Sequence, residues 1–162
     1  MTQVDGRQVR KRTCARVLPV NPAGEVLLLH GWDPAAPEAP YWFSIGGAID
    51  PGESLVDAAV REMREETGIV IQPTELSDPI AREDAEFDWG VWRLVQDQTY
   101  YALALAQDPA SISFEGLEPI ERTSIDAAGW WTPEALEADG SAANERLPEI
   151  MRTAVRTVRG TP

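Results

Sequence analysis

Over the first part of the chain, hydrophobic and polar residues alternate with the period of a β-strand. This pattern predicts the first elements of secondary structure. Apolar, β-rich runs at 12–20 and 25–30 flank the turn residues 21–24, whose Pro and Gly favour a tight reversal, so we expect a β-hairpin. Three prolines among residues 33–40 preclude regular structure. We therefore expect a loop there, followed by a short strand that ends at Gly46.

Between Ser54 and Thr67 the spacing of apolar residues becomes that of an α-helix. Pro51-Gly52 favours a turn before it, the serine at its start can cap the helix with Asp57 three residues on, and Gly68 can stop it. The residues that share its apolar face are Leu55, Ala58, Ala59 and Met63.

The second half of the chain returns to strands and ends on a helix. Residues from Pro79 to about 106 are strand-like, residues 129–132 predict one more short strand, and a short helix is expected at 133–138. Apolar residues recur at helical spacing over 148–159, with Gly160 after the end. This order predicts an α+β fold in which a mixed central β-sheet lies between helices as an α/β/α sandwich.

Length and composition are those of one folded domain, which we expect to span residues 1–162. No apolar run approaches the roughly 20 residues of a membrane helix, and no apolar signal core follows the basic N-terminus. Cys14 lacks a cysteine partner and lies among apolar residues, which favours a buried thiol over a nucleophile. These features predict a cytoplasmic protein that does not enter membranes.

The formal net charge is -13, from 27 acidic against 14 basic residues. Such a charge opposes the approach of DNA, RNA or an anionic membrane, so we expect no nucleic acid polymer among the partners. A small anionic substrate stays compatible with this charge if metal ions neutralise its site locally.

The predicted central helix carries three glutamates on one face. Glu62, Glu65 and Glu66 fall within an arc of roughly 100° because residues three and four apart are neighbours on a helix. Such crowding is unfavourable unless something compensates for it. Two interpretations are open: a solvated acidic face partly neutralised by Arg61 and Arg64, or a site for a divalent cation such as Mg²⁺, which prefers oxygen ligands.

The order of residues around these glutamates resembles a known motif. The segment from Gly47 to Ile69 matches every specified position of the Nudix box, G-x5-E-x7-R-E-U-x-E-E-x-G-U, where U is a bulky apolar residue. At ordinary residue frequencies a chance match is below about one in a million. The fixed positions are filled by Gly47, Glu53, Arg61, Glu62, Glu65, Glu66 and Gly68.

Resemblance to the Nudix family implies a fold and an activity. The implied fold is the α/β/α Nudix sandwich. The implied activity is Mg²⁺-dependent hydrolysis, with Mn²⁺ as a substitute, of the diphosphate linkage in a nucleoside diphosphate linked to another group or in a nucleoside triphosphate. A metal-activated water would attack phosphorus. Two alternatives stay open: hydrolysis of a non-nucleoside diphosphate, and a non-catalytic Nudix domain that only binds or regulates.

The resemblance also implies roles for residues of the box. Glu62 and Glu66 are the expected principal metal ligands, Glu65 an additional one, and the carbonyl of Gly46 a further one. Glycine suits that position because the backbone must approach an ion closely. Glu53 and Arg61 are expected to pair and to orient the ligands.

The general base is less clearly indicated, because members of the family use either a box glutamate or a glutamate from a loop nearer the C-terminus. Glu62 is the first candidate, with Glu66 beside it as a catalytic ligand. Glu121, in the segment from Phe114 to Ser124, is the second candidate, and a solvated loop carboxylate is the alternative interpretation of it.

Aromatic residues near the Pro-rich loop are candidates for holding a nucleobase. Trp32 and Tyr41 flank this loop, and either can stack on a base or pack in the core. His30 is expected to be structural or exposed. Residues 79–92 contain no marker of a particular Nudix subfamily, so the nucleotide-like substrate stays open, as does a homodimer.

Overall fold

One curled sheet, with helices on both of its faces, organises the part of the chain that can be described. The computed structural model describes residues 3–4, 6–105, 112 and 123–160. A 3-10 turn at Pro73–Glu75 precedes the sixth strand. The strands are β1 (Gln3–Val4), β2 (Arg7–Val20), β3 (Val26–Gly31), β4 (Tyr41–Phe43), β5 (Ile45–Ala48), β6 (Leu76–Trp89), β7 (Trp92–Ala104) and β8 (Ile125–Trp131), and the helices are α1 (Leu55–Thr67), α2 (Pro133–Asp139) and α3 (Leu147–Arg159).

Strand β2 is the centre of the sheet. It runs parallel to β7 in a continuous register from Gln8 opposite Trp92 to Val20 opposite Ala104, and antiparallel to β3 and β5. Antiparallel pairing adds β6 to β7, and both β4 and β8 to β3. The sheet is therefore mixed, which confirms the predicted α+β class.

Alternation along β2 divides the core into two layers. Ala15 and Val17 face the layer that contains α1, whereas Leu18 and Val20 face the layer that contains α3. Successive side chains of a strand point to opposite faces, so one strand serves both layers. The sandwich of helix, sheet and helix follows from this alternation.

Helix α1 forms where the sequence predicts it. The Ser54 hydroxyl accepts a hydrogen bond from the backbone N–H of Asp57, and Gly68 ends the helix in the left-handed region with φ +79°. Ala58 and Met63 are buried against the sheet. Full burial of a side chain such as Met63 contributes roughly 1.5–3 kcal/mol.

Strand boundaries differ from the sequence prediction in three places, one of which is β8, which begins at Ile125 rather than residue 129. β2 begins at Arg7 rather than residue 12, because its charged N-terminal residues pair with the start of β7, from Gln8 opposite Trp92 to Arg12 opposite Gln96. The short strand expected to end at Gly46 is two strands, β4 and β5, separated at Ser44. Within the described part of the chain, no helix is long and apolar enough to cross a membrane.

Candidate active site

The glutamates of α1 divide into two groups once the helix packs on the sheet. Glu62 and Glu66, one turn apart, are only 8% and 1% exposed. The side chain of Glu65 is 32% exposed and lies beside Arg61. Geometry thus separates the two expected principal ligands from the expected additional one.

Both buried carboxylates meet the backbone of β5. Glu66 Oε1 accepts a hydrogen bond of 2.7 Å from the N–H of Gly46. A Cβ at Gly47 would lie 2.8 Å from Glu62 Oε1, and one at Gly46 would lie 2.1 Å from the carbonyl of Ala15. Glycine at position 47 therefore lets Glu62 approach β5 closely, and glycine at position 46 lets β5 approach β2.

Arg61 joins the loop before α1 to the helix. Its Nε and Nη2 donate to the two oxygens of Glu53 at 2.9 and 2.8 Å, and Nη2 also donates to the carbonyl of Ala48 at 3.0 Å. Nη1 donates to Glu62 Oε1 at 2.9 Å and to Glu65 Oε2 at 3.2 Å. One guanidinium therefore fixes the orientation of Glu62.

The same contacts set the ionisation of the Arg61–Glu53 pair. Hydrogen bonds from Arg61 hold the pKa of Glu53 below its ordinary value. The hydrogen bond to Glu53, followed by the charge of Glu62, raises the pKa of Arg61. Both groups are charged at neutral pH.

The donor set fits a divalent cation such as Mg²⁺. Two buried carboxylates beside glycine backbone supply oxygen ligands, and Mg²⁺ is commonly held by one or two carboxylates, with waters and substrate phosphates completing its shell. Among the residues that the structure describes, no three His, Cys, Asp or Glu side chains converge to hold an ion by themselves.

A polar network on the opposite face of β2 was not predicted. Arg16 Nε donates to Gln98 Oε1 at 2.8 Å, and Arg16 Nη1 donates to the carbonyls of Gly46 and Ser44 at 3.0 and 3.3 Å. Gln98 Nε2 donates to Glu83 Oε1 at 3.1 Å. The network reaches the site because Gly46, which Arg16 holds, also donates to the ligand candidate of α1.

Two further members extend this network along β7. Tyr100 donates to Glu83 Oε1 at 3.1 Å, and burial raises the pKa of Tyr100 to about 12. Gln96, only 1% exposed, donates to Gln98 at 3.2 Å and accepts from Arg12. The signal in the sequence is polar residues on one face of each strand, Arg10, Arg12 and Arg16 on β2 and Gln96 and Gln98 on β7. This signal can be interpreted only once the parallel register is known.

The residues proposed to bind a nucleobase lie near the Pro-rich loop, as expected. The N–H of Trp32 donates to the carbonyl of Ser124 at 3.0 Å. Tyr41 is half-buried, with its ring edge against Phe43 at a centroid distance of 5.8 Å. Burial and then the charge of Asp33 raise the pKa of Tyr41. No contact here assigns either aromatic residue a substrate.

Other predicted residues have plain outcomes. Cys14 is fully buried, which confirms the interpretation as a buried thiol. His30 Nδ1 lies 2.6 Å from Asp126 Oδ1, and its ring lies 4.8 Å from that of Trp42. Glu121 lies outside the described residues.

Comparison with known proteins identifies the family. The family model described as NUDIX domain matches residues 10–153. An RNA pyrophosphohydrolase of Novosphingobium aromaticivorans is 32% identical over 136 residues, covering 77% of this chain and 80% of that protein. An RNA pyrophosphohydrolase of Erythrobacter litoralis is 40% identical over 78 residues, covering 48% of this chain and only 44% of that protein.

Solved structures support the fold. The crystal structure of the MutT protein from Methanosarcina mazei Go1 aligns with a TM-score of 0.64, covering 96% of this chain and 98% of that chain at 19% identity. At this level of identity the similarity shows the fold alone.

Proposed function

The chain belongs to the Nudix family, and on that premise we propose that it is a Mg²⁺-dependent hydrolase that cuts the diphosphate linkage of a small nucleotide-like substrate. One observation carries the proposal most directly: Glu62 and Glu66, almost fully buried, meet the glycine backbone of β5. Arg61 offsets part of the charge of Glu62, and a bound divalent cation would further offset two buried carboxylates that lie one turn apart. Mn²⁺ is the expected substitute metal.

Different residues of the site have different roles in the proposed reaction. Glu66, fixed by the N–H of Gly46, and Glu62, fixed by Arg61, would hold the ion. The Gly46 carbonyl accepts from Arg16 at 3.0 Å and would act as a backbone ligand through its second lone pair. When bound, the cation lowers the pKa of a water and neutralises charge on the phosphoryl oxygens. Glu65, which lies beside Arg61, would act as an additional or water-mediated ligand.

Hydrolysis then needs one proton acceptor. An attacking water forms a bond to phosphorus, the bridging P–O bond breaks, and the bridging oxygen leaves with the other phosphate. We assign the water's proton to the carboxylate of Glu62. Glu121 is the second candidate for this role.

Small substrates fit the charge of the chain better than polymers. The two relatives described above are named for RNA, whereas the net charge of -13 opposes the approach of a polyanion. We therefore propose a nucleoside diphosphate derivative or a nucleoside triphosphate, with Trp32 or Tyr41 contacting the base. The buried thiol of Cys14 is compatible with a cytoplasmic location.

The proposal is tested by a product screen. Purified protein is incubated with nucleoside triphosphates, nucleotide sugars, dinucleotides and a 5′-triphosphorylated RNA oligonucleotide, with Mg²⁺ or Mn²⁺ and with an EDTA control. We expect phosphate-containing products from at least one small substrate, and none in EDTA. Preference for the RNA would overturn the small-substrate assignment. Tight metal binding without turnover on any member would favour a non-catalytic Nudix domain.

A further inference from the structure

Arg12 has a buried donor that the protein does not use. Its Nη2 donates to Gln96 Oε1, but its Nε is buried without a hydrogen-bond partner among the described residues. Buried polar groups in folded proteins are normally satisfied, and those that are not often face a ligand or an ion. This donor therefore requires an explanation.

Strand pairing places Arg12 near the part of β5 that Glu62 contacts. Arg12 lies three residues before Ala15, whose partner on β5 is Gly47, and the carboxylate of Glu62 lies against Gly47. Burial, the largest influence, lowers the pKa of Arg12, yet a guanidinium keeps its proton in proteins. A permanent positive charge thus lies on β2, the strand that pairs with the segment of β5 against which Glu62 lies.

Arg16, on the same face of β2, shows what a structural arginine looks like here. Its Nε donates to Gln98, and its Nη1 donates to the backbone carbonyls of Ser44 and Gly46. These contacts hold strands together. Arg12 makes one contact of this kind, to Gln96, and its buried Nε is left without a partner among the described residues.

The contact to Gln96 orients the guanidinium in advance. Gln96 is 1% exposed and is itself held by its hydrogen bond of 3.2 Å to Gln98. A planar guanidinium fixed at one edge loses little freedom when its other donors bind an oxyanion, and its fork matches phosphate oxygens. The ligand that fits is an anion held between Arg12 and a metal on Glu62.

We propose that Arg12 binds a phosphoryl oxygen of the substrate's diphosphate on the side of the site opposite the metal ligands. This inference rests on the proposed function, because it takes the diphosphate to be bound at Glu62 and Glu66. It adds a substrate-binding residue that lies outside the box, 35 residues before Gly47 in the sequence.

Binding of methylenediphosphonate, a diphosphate mimic that cannot be hydrolysed, tests the role of Arg12. Its affinity in Mg²⁺ is measured by calorimetry for wild type, Arg12→Gln and Lys11→Gln. Lys11 is the matched control because it is exposed, neighbours Arg12 on β2 and carries the same charge. Arg12→Gln is expected to weaken binding about 10- to 100-fold, and Lys11→Gln less than about twofold. Mn²⁺ binding without the mimic is expected to stay unchanged in both variants.

The possible results distinguish a failure of the role of Arg12 from a failure of the proposed function. Equal affinity in Arg12→Gln and Lys11→Gln, with intact Mn²⁺ binding, would overturn the role of Arg12 and leave the proposed function standing. A wild type that binds Mg²⁺ but not the mimic would overturn both.

A second measurement on the wild type covers the case in which Arg12→Gln does not fold. The N–H resonance of Arg12 Nε is followed by NMR while methylenediphosphonate and Mg²⁺ are added. We expect it to shift and its exchange with water to slow, as a hydrogen-bonded donor's does. An unmoved resonance at saturation would contradict the proposal.

Discussion

The face of α1 and the face shared by β2 and β7 both bring polar side chains to the same site, but they assemble them differently. On α1, Arg61 meets Glu53, Glu62 and Glu65, all within eight residues of it in the sequence. On the sheet, Arg16 meets Gln98, which is 82 residues away. The first set is built by one helix and its preceding loop, and the second by strand register.

This difference implies that the metal ligands and the substrate contacts are positioned by different parts of the molecule. The local set repeats a short motif, so the spacing in sequence fixes its geometry. The distant set depends on the whole fold, which lets it differ between proteins that share the motif. We therefore infer that α1 determines the reaction, whereas β2 contributes Arg12 to substrate binding and β7 holds that arginine in place through Gln96.

The largest expected effect comes from removing a carboxylate of α1. Glu62→Gln and Glu66→Gln should each lower kcat by about 100-fold or more, because each removes a charge that holds the metal. Glu65→Gln is the control on the same helix and should lose less, since its side chain lies beside Arg61. Steady-state kinetics gives kcat for each variant, and thermal unfolding checks that each variant is folded. Near-wild-type turnover in Glu62→Gln and Glu66→Gln would exclude both as ligands.

Breaking the sheet network should act on stability. Gln98→Met keeps the volume but removes the acceptor of Arg16 and the donor to Glu83, and should lower the free energy of unfolding by about 1–3 kcal/mol. Gln8→Met, on the same face but half-exposed, should change it by less than about 0.5 kcal/mol. Urea titration measures the unfolding midpoint of both variants. Equal midpoints would show that the buried network does not contribute to the free energy of unfolding.

Replacing the arginine that orients Glu62 should have an intermediate effect on the metal. Arg61→Lys keeps the charge but loses the two-point contact with Glu53, and we expect about tenfold weaker Mn²⁺ binding. Arg64→Lys, exposed on the same helix, is the control. If titration followed by EPR gives the same affinity for both variants, Arg61 does not position the ligands.

The smallest expected effect is on the pH dependence of stability. Because Arg61 lowers the folded-state pKa of Glu53, the pair stabilises the protein above the ordinary value of 4.5 and loses this contribution as pH falls through the folded value. Wild type should therefore exceed Glu53→Gln in stability by a constant amount near neutrality. The gap should narrow below about pH 4.5. Urea titrations from about pH 7 to about pH 4 measure the stability of both proteins. A stability difference that grows as the pH falls would contradict a lowered pKa of Glu53 in the folded state.

The helix and its motif were predictable because their signals are local. A serine cap, a closing glycine and apolar spacing place α1 within a residue of its observed start, and the same 23 residues contain the box. The approach of Glu66 to Gly46 was expected only through resemblance, since nothing in helical geometry says which strand the helix covers.

The rest of the site escaped prediction because it depends on pairing between distant strands. The basic residues 7–12 lack a strong strand pattern, yet they extend β2 along β7 and place Arg12 beside Gln96. A register shift of one residue would turn these side chains to the other face. Single-sequence reasoning carries no information on that register.

Hydrolysis in ¹⁸O-labelled water tests the central claim most directly. The best substrate of the product screen is cleaved with Mg²⁺, and mass spectrometry locates the label in the products. The account predicts one ¹⁸O atom in a phosphate of one product, formed only with metal and lost in EDTA and in Glu66→Gln. Label outside the phosphates, or cleavage that persists in EDTA, would contradict attack of a metal-activated water on phosphorus.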